Sequence, residues 1–216
     1  MKQLILYDLD GTLVDTLADL TRAANETLRV LQLPAVDAEA VRRAVGRGVH
    51  ELVKDCVQTD DPKRLAYAVQ LFRAFYARHL TDCSRLYPGA REVLDYFRPR
   101  SQAVVTNKPN PFATDLLTAL GVTGYFFEIV AGDSRYPKKP DPTAIQELMR
   151  QRQVEPQQTI FVGDSLVDVE TGRRAGVLTA VVAHGFSDAA ELATAGADLV
   201  VEGFGELLAY ARAHAW

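Results

Sequence analysis

The chain has 216 residues, 24 basic against 28 acidic, for a net charge of −4. That length suits one sizeable core, or a core with a smaller lobe, and no Lys/Arg run tracks nucleic acid or anionic lipid, so neither partner is favoured. The first apolar run, Leu4–Tyr7, is too short for a signal-peptide core or a membrane span, and no later stretch is long enough to cross a bilayer, which gives the expectation of a cytoplasmic protein. Cys56 and Cys83 are the only cysteines and belong to no CxxC or Cys/His cluster, so they read as two reduced thiols.

Taken in chain order, the first element is a strand, LILYD at 4–8, that ends in two aspartates one residue apart followed by Gly-Thr. From 14 to about 82 the pattern turns helical, with no convincing strand. Leu17, Leu20, Ala24, Leu28 and Leu31 form one stripe; Leu65, Val69, Phe72, Phe75 or Tyr76, and Leu80 form another. Between them Val41, Val45, Val49, Leu52 and Val53 suggest a third helix or a pair, and Asp61-Pro62 marks a helix start. The chain returns through Tyr87-Pro88-Gly89, a turn with a proline-led helix start. Short connecting stretches near 13–15 and 81–87 therefore join an inserted helical lobe to the remainder.

Beyond the turn, apolar runs alternate with helical spacing, the signature of βα units on a parallel sheet. Strands are expected at 102–107, 126–132, 159–164, 178–183 and 197–202. Asn110-Pro111 and Asp141-Pro142 each place a preferred cap residue before proline, so helices are expected to begin with those prolines. The fold class is α/β: a Rossmann-like parallel sheet core, residues 1–13 and 83–216, with an inserted α-helical cap at 14–82.

In an open parallel sheet, ligands sit beyond the carboxyl ends of the strands. Three strand ends carry suitable groups: Asp8 and Asp10, Thr106 and Asn107, and Asp164 with Asp168. Lys138 and Lys139 precede a helix start and face the same crevice in this arrangement. Carboxylate oxygens without a Cys/His set suit Mg²⁺, while lysine, hydroxyl and backbone N–H groups suit a phosphate. A carboxylate near the ion can attack phosphorus in line, and a second acid two residues along can protonate the leaving oxygen and later activate water. Taken alone, the Asp-x-Asp pair is equally well read as a solvated turn.

DLDGTLVDT, VVTN, KKPDP and VGDSLVD, in this order and spacing, resemble the four motifs of the haloacid dehalogenase-like hydrolase superfamily. VRRAVGRGVHELV, YPGAREVL, VVTNKPNPFATDLLTALGV and AGADLVV further resemble its phosphoglycolate phosphatase-like branch. The resemblance implies Asp8 as nucleophile and Asp10 as general acid/base, with Thr106 and Lys139 holding the phosphoryl group. It also implies Mg²⁺ on Asp8, the Asp10 carbonyl and Asp164, supported by Asp168. Lys139 is preferred to Lys138 because it directly precedes Pro140, as the motif lysine usually does. Asp10 disfavours halide release, since dehalogenase members lack that second aspartate.

Some readings stay open. Asn107 either orients substrate or caps a turn, and Arg43 or Arg47 either reaches a substrate carboxylate from a cap loop or is a solvated residue of an interhelical turn. Asp15 and Thr16 fit a helix N-terminus better than a hinge, and His184 reads as structural or solvated. The expected activity is Mg²⁺-dependent hydrolysis of a small phosphorylated metabolite, with 2-phosphoglycolate favoured. Inorganic pyrophosphate, sugar phosphates, nucleotides, a phosphoglucomutase-like transfer and a noncatalytic regulator are the alternatives, and the oligomeric state is left undetermined.

Overall fold

A computed structural model describes residues 1–216. In chain order the elements are β1 (Leu4–Tyr7), β2 (Val14–Asp15), α1 (Leu17–Val30), α2 (Ala38–Ala44), α3 (Val49–Val57), α4 (Pro62–Arg78), β3 (Arg85–Leu86), α5 (Ala90–Tyr96) and β4 (Ser101–Val105). They continue through α6 (Phe112–Ala119), β5 (Glu128–Val130), α7 (Thr143–Arg152), β6 (Thr159–Gly163), α8 (Leu166–Ala175), β7 (Leu178–Val182), α9 (Ala189–Thr194), β8 (Leu199–Val201) and α10 (Phe204–Ala213). No helix is long and apolar enough to cross a membrane.

Six strands form one parallel sheet in the order β5-β4-β1-β6-β7-β8. The central strands are apolar on both faces because helices cover both. In β1, Ile5 and Tyr7 join the cluster containing Val93 of α5 and Phe97 just after it, Leu116 of α6 and Leu207 of α10. Leu4 and Leu6 point the other way, into the cluster of Ile145, Leu148 and Met149 from α7 and Ala175 from α8. This alternation follows from the two-residue period of a strand. The chain runs outward from β1 through β4 to β5, then returns to the other side of β1 with β6, so the strand order reverses between β1 and β6. A doubly wound sheet opens its ligand crevice at that reversal.

Helices α1 to α4 pack on one another around a second apolar cluster that includes Leu20, Leu28, Val41, Val53, Phe72 and Tyr76. Phe112 at the start of α6 joins this cluster, and its ring meets Tyr76 edge-on with centroids 5.2 Å apart. The four-residue rhythm Leu65, Ala68, Phe72, Tyr76 is the buried face of α4, so Tyr76 rather than Phe75 faces inward at its end. Asp61 caps α4 by accepting from Lys63 N, with Pro62 at the first position.

Three local details differ from the sequence expectation. Residues 14–15 do form a strand, β2, pairing antiparallel with β3 (Val14 with Leu86, Asp15 with Arg85) where the chain leaves for the helices and returns. Two residues a side give too little alternation to read. Helices α6 and α7 begin one residue after the expected prolines, which occupy the cap position; Asp141 Oδ1 still accepts from Thr143 N, at 2.9 Å. The helix after Pro88 starts at Ala90 because Gly89 takes φ +81°, outside the helical region.

Candidate active site

Strand β1 ends where Asp8 begins, and Asp8 N donates to Val162 O of β6 at 2.8 Å. This last ladder bond fixes the carboxylate at the reversal of strand order. Past the ends of β4 and β6 the chain delivers Thr106 and Asp164, both buried. One turn into α8, Asp168 turns back to the same point, and single oxygens of Asp8, Asp164 and Asp168 lie within 4.8 Å of one another. Lys139 Nζ stands 2.7 Å from Asp8 Oδ1 and 2.7 Å from Asp168 Oδ1, with its side chain 3% exposed.

The carboxylates are engaged to different degrees. Asp168 Oδ1 accepts from Lys139, and Oδ2 accepts from Ser165 Oγ at 2.6 Å, Ser165 N at 3.1 Å and Asp164 N at 3.2 Å, so both its oxygens are committed to the protein. Asp164 accepts from Thr12 Oγ1 and Phe186 N, one donor on each oxygen. Asp8 Oδ1 is buried and ion-paired with Lys139 at 2.7 Å, with no further donor. The Asp10 carbonyl accepts no backbone hydrogen bond.

Three buried carboxylates with one ammonium leave an excess of negative charge. Burial, reinforced by Asp168 against the opposing pull of Lys139, raises Asp8 to about 7. Burial and its two carboxylate neighbours push Asp164 well above the ordinary range. Lys139 moves up in spite of its burial because Asp168 and Asp8 more than offset that cost. The donor set fits a hard divalent cation: all oxygen, buried, negatively charged, with an Asp8 oxygen that no donor but Lys139 reaches. Gly11, at φ +82°, lies against the Asp164 carboxylate, where a Cβ would collide with it. The Gly of Asp-x-Asp-Gly-Thr thus has a packing reason as well as a conformational one.

Asp10 is oriented from one side only. Its Oδ1 accepts from Thr16 Oγ1 at 2.7 Å and from Lys108 Nζ at 2.8 Å. Thr16 therefore spends its hydroxyl on Asp10 and makes no side-chain cap on α1, whereas Asp15 Oδ1 accepts from Leu17 N at 3.3 Å. Thr106 Oγ1 accepts from Lys108 N at 3.1 Å and keeps its own proton for another acceptor.

Asn107 serves the framework: its amide exchanges two hydrogen bonds with the Lys139 backbone, at 2.9 and 3.0 Å, and donates to Gly46 O of the α2–α3 loop at 2.8 Å. That loop overlies the site. Arg43 of α2 pairs with Glu39 and lines, with Asp8, Asp10 and Asp164, an outer cleft of about 440 Å³, whereas Arg47 pairs with Asp55 in solvent and borders neither cavity of the site. Lys138 is exposed, with Nζ near Gly48. His184 stacks on Tyr87, centroids 3.9 Å apart, and its Nε2 lies 3.1 Å from Thr12 O.

Sequence reasoning missed Lys108 and Arg42. Lys108 was visible as the residue after Thr106-Asn107 at a strand end; nothing local pointed to Arg42. From α2 Arg42 donates to Gly185 O at 2.6 Å and Phe186 O at 3.0 Å, gripping the loop whose Phe186 N–H holds Asp164.

The profile of the haloacid dehalogenase-like hydrolase family matches residues 5–182. A phosphoglycolate phosphatase of Vibrio parahaemolyticus is 34% identical over 95% of this chain and 94% of its own length. One from Pseudomonas fluorescens is 34% identical over 96% of this chain and 79% of its own. A crystal structure of a predicted phosphoglycolate phosphatase from Haemophilus somnus superimposes with TM-score 0.92 at 30% identity, covering 97% of both chains.

Proposed function

Because the chain belongs to the haloacid dehalogenase-like hydrolase family, we propose that it is a Mg²⁺-dependent phosphatase that hydrolyses 2-phosphoglycolate through a phosphorylated Asp8. The observation that carries this reading is the convergence of Asp8, Asp164 and Asp168 within 4.8 Å, with Asp10 two residues on and held through one oxygen. The relatives' common substrate supplies the choice of ester.

In the proposed reaction an Asp8 carboxylate oxygen attacks phosphorus and the bond to the bridging oxygen breaks, while Asp10, protonated, gives its proton to that departing oxygen. Water then attacks the phosphorus of the acyl phosphate. Asp10 takes one of its protons, the Asp8–phosphorus bond breaks, and inorganic phosphate leaves with Asp8 restored. Lys139 and the Thr106 hydroxyl bind the phosphoryl oxygens and hold phosphorus in line with Asp8. Asp8, the Asp10 carbonyl and Asp164 would hold the ion, with Asp168 fixing Lys139 and the start of α8 around it. Mg²⁺, when bound, supplies positive charge that lets Asp8 stay ionised beside Asp164 and offsets the charge on the phosphoryl oxygens.

The test is phosphate release from 2-phosphoglycolate, sugar phosphates, nucleotides and pyrophosphate, with and without Mg²⁺, beside an Asp8→Asn variant. The expected result is a preference for 2-phosphoglycolate, loss of turnover on chelation, and a fall of about 10⁴-fold or more in Asp8→Asn. Turnover that survives both the chelator and Asp8→Asn overturns the mechanism; a sharp preference for another ester overturns the substrate.

A further inference from the structure

We propose that Lys108 selects the leaving group: its ammonium binds a carboxylate carried by the departing alcohol, and so sets a preference for phosphate esters of small hydroxy acids over those of neutral alcohols. This rests on the phosphatase reading above and deepens it by naming the residue that chooses the substrate class.

An ammonium group has three donors. Lys108 Nζ uses two, on Asp10 Oδ1 at 2.8 Å and Tyr76 Oη at 2.7 Å, and its side chain is 3% exposed. The third donor is unspent in a place water barely reaches. Lys108 lines a cavity of about 30 Å³ with Asp8, Asp10 and Thr106 on the sheet side and Val49 and Leu52 on the helical side. It is the one basic residue bordering that cavity. Each water-sized centre occupies at least about 10–15 Å³, so a group that enters this cavity beside Lys108, and not the outer cleft, has very few atoms.

The unspent donor is what gives the choice. A carboxylate on the carbon next to the departing oxygen can accept it, and a charge-assisted bond is strong where the surroundings are poorly hydrated. A neutral alcohol leaves that donor bare. Arg43, on the outer cleft, and Arg47, paired with Asp55 in solvent, do not border the cavity that Lys108 lines.

The experiment compares kcat/KM for 2-phosphoglycolate, phospholactate and ethyl phosphate in the wild type, Lys108→Met and Lys108→Arg, with glycolate and ethanol as product inhibitors. The wild type is expected to favour the carboxylated esters by roughly 10⁴-fold, the scale of a site that hydrogen-bonds one substrate and leaves its donor bare with the other. Lys108→Met should reduce that ratio to within a few-fold of unity, with the extra loss on the carboxylated esters appearing in KM, and Lys108→Arg should recover part of it. Glycolate should inhibit the wild type at concentrations where ethanol does not, a readout that needs no variant to fold. Equal losses on all three esters in Lys108→Met, or equal inhibition by glycolate and ethanol, overturn the proposal and leave Lys108 acting only through Asp10. Failure of the phosphatase reading is distinguishable, because there the wild type releases no phosphate from any ester in an Asp8-dependent way.

Discussion

Two buried lysines flank the aspartates at the end of β1, and they are anchored in different parts of the molecule. Lys139 joins groups that belong to the sheet and its helices, Asp8 after β1 and Asp168 in α8. Lys108 joins Asp10 to Tyr76 of α4, and so bridges the sheet to the helical layer. Any separation of the two layers breaks the Lys108–Tyr76 bond and leaves the Lys139 contacts intact. One lysine is thus fixed within the sheet side of the site, and the other reports whether the helices are in place above it.

The largest way to break this comparison is on the sheet side. Lys139→Met removes the one cation between Asp8 and Asp168, and kcat/KM should fall by about 10²–10³-fold, the range for deleting a preorganised charge stabiliser. Lys138→Met removes an exposed ammonium and should change kcat/KM by less than about 3-fold, as exposed charges contribute little. Steady-state kinetics on both variants checks the pair, and a reversed order would move the phosphate role to Lys138.

The next effect sharpens what anchors the helical layer. Asp19 in α1 is fully buried, and its carboxylate accepts from Cys83 N, Ser84 N and Ser84 Oγ, the last two at 2.8 and 2.7 Å. It ties the first turn of the helical unit to the point where the chain returns. Asp19→Ala leaves buried backbone donors bare and should cost about 3 kcal/mol, a fall of roughly 6–12 °C in Tm for a chain of this size. Asp19→Asn keeps an accepting oxygen and should lose about half as much, measurable by thermal unfolding of the three proteins in parallel.

The same contrast separates what could be read in the sequence from what could not. Asp8, Thr106 and Asp164 sit at the ends of continuous apolar runs, where a sheet must deliver them to one edge, so strand pattern alone points to a shared crevice, whereas the choice of Lys139 over Lys138 came from the family motif. Lys108, Asp19 and Arg42 lie in equally ordinary local sequence, but their partners are 32, 65 and 144 residues away. Those contacts exist only once the helical layer is seated on the sheet, and no periodicity encodes that seating. Tyr76 shows the boundary: helical spacing narrowed the inward residue to Phe75 or Tyr76, and only packing against Phe112 distinguishes them. Likewise β2 and β3, two residues each, are defined by pairing with one another and not by pattern.

Arg42 tests the seam at a third point, with a smaller effect. Its two charge-assisted bonds to Gly185 O and Phe186 O are partly exposed, so Arg42→Ala should cost about 1–2 kcal/mol. The Phe186 amide that donates to Asp164 should exchange its hydrogen faster in the variant, and kcat/KM should fall several-fold as Asp164 loses its fixed position. Unchanged exchange at residues 184–188 would show that the loop is held by the sheet alone.

The smallest effect concerns His184, which lies on the sheet side of the same loop. Its ring is partly desolvated against Tyr87, and burial holds its pKa below the ordinary value of 6.5, against weaker upward pulls from Thr12 O and Asp15. The folded protein therefore favours the neutral ring, whereas the unfolded chain takes up a proton near pH 6.5. As pH falls through that value the unfolded state binds more protons than the folded one, and stability declines. The wild type should accordingly lose more Tm between pH 7.5 and 5.5 than His184→Gln, which keeps a donor for Thr12 O and has no titrating group. The comparison is made in Mg²⁺-saturated buffer so that the aspartate cluster stays ionised in both proteins, and equal losses in the two would assign the acid sensitivity to groups other than His184.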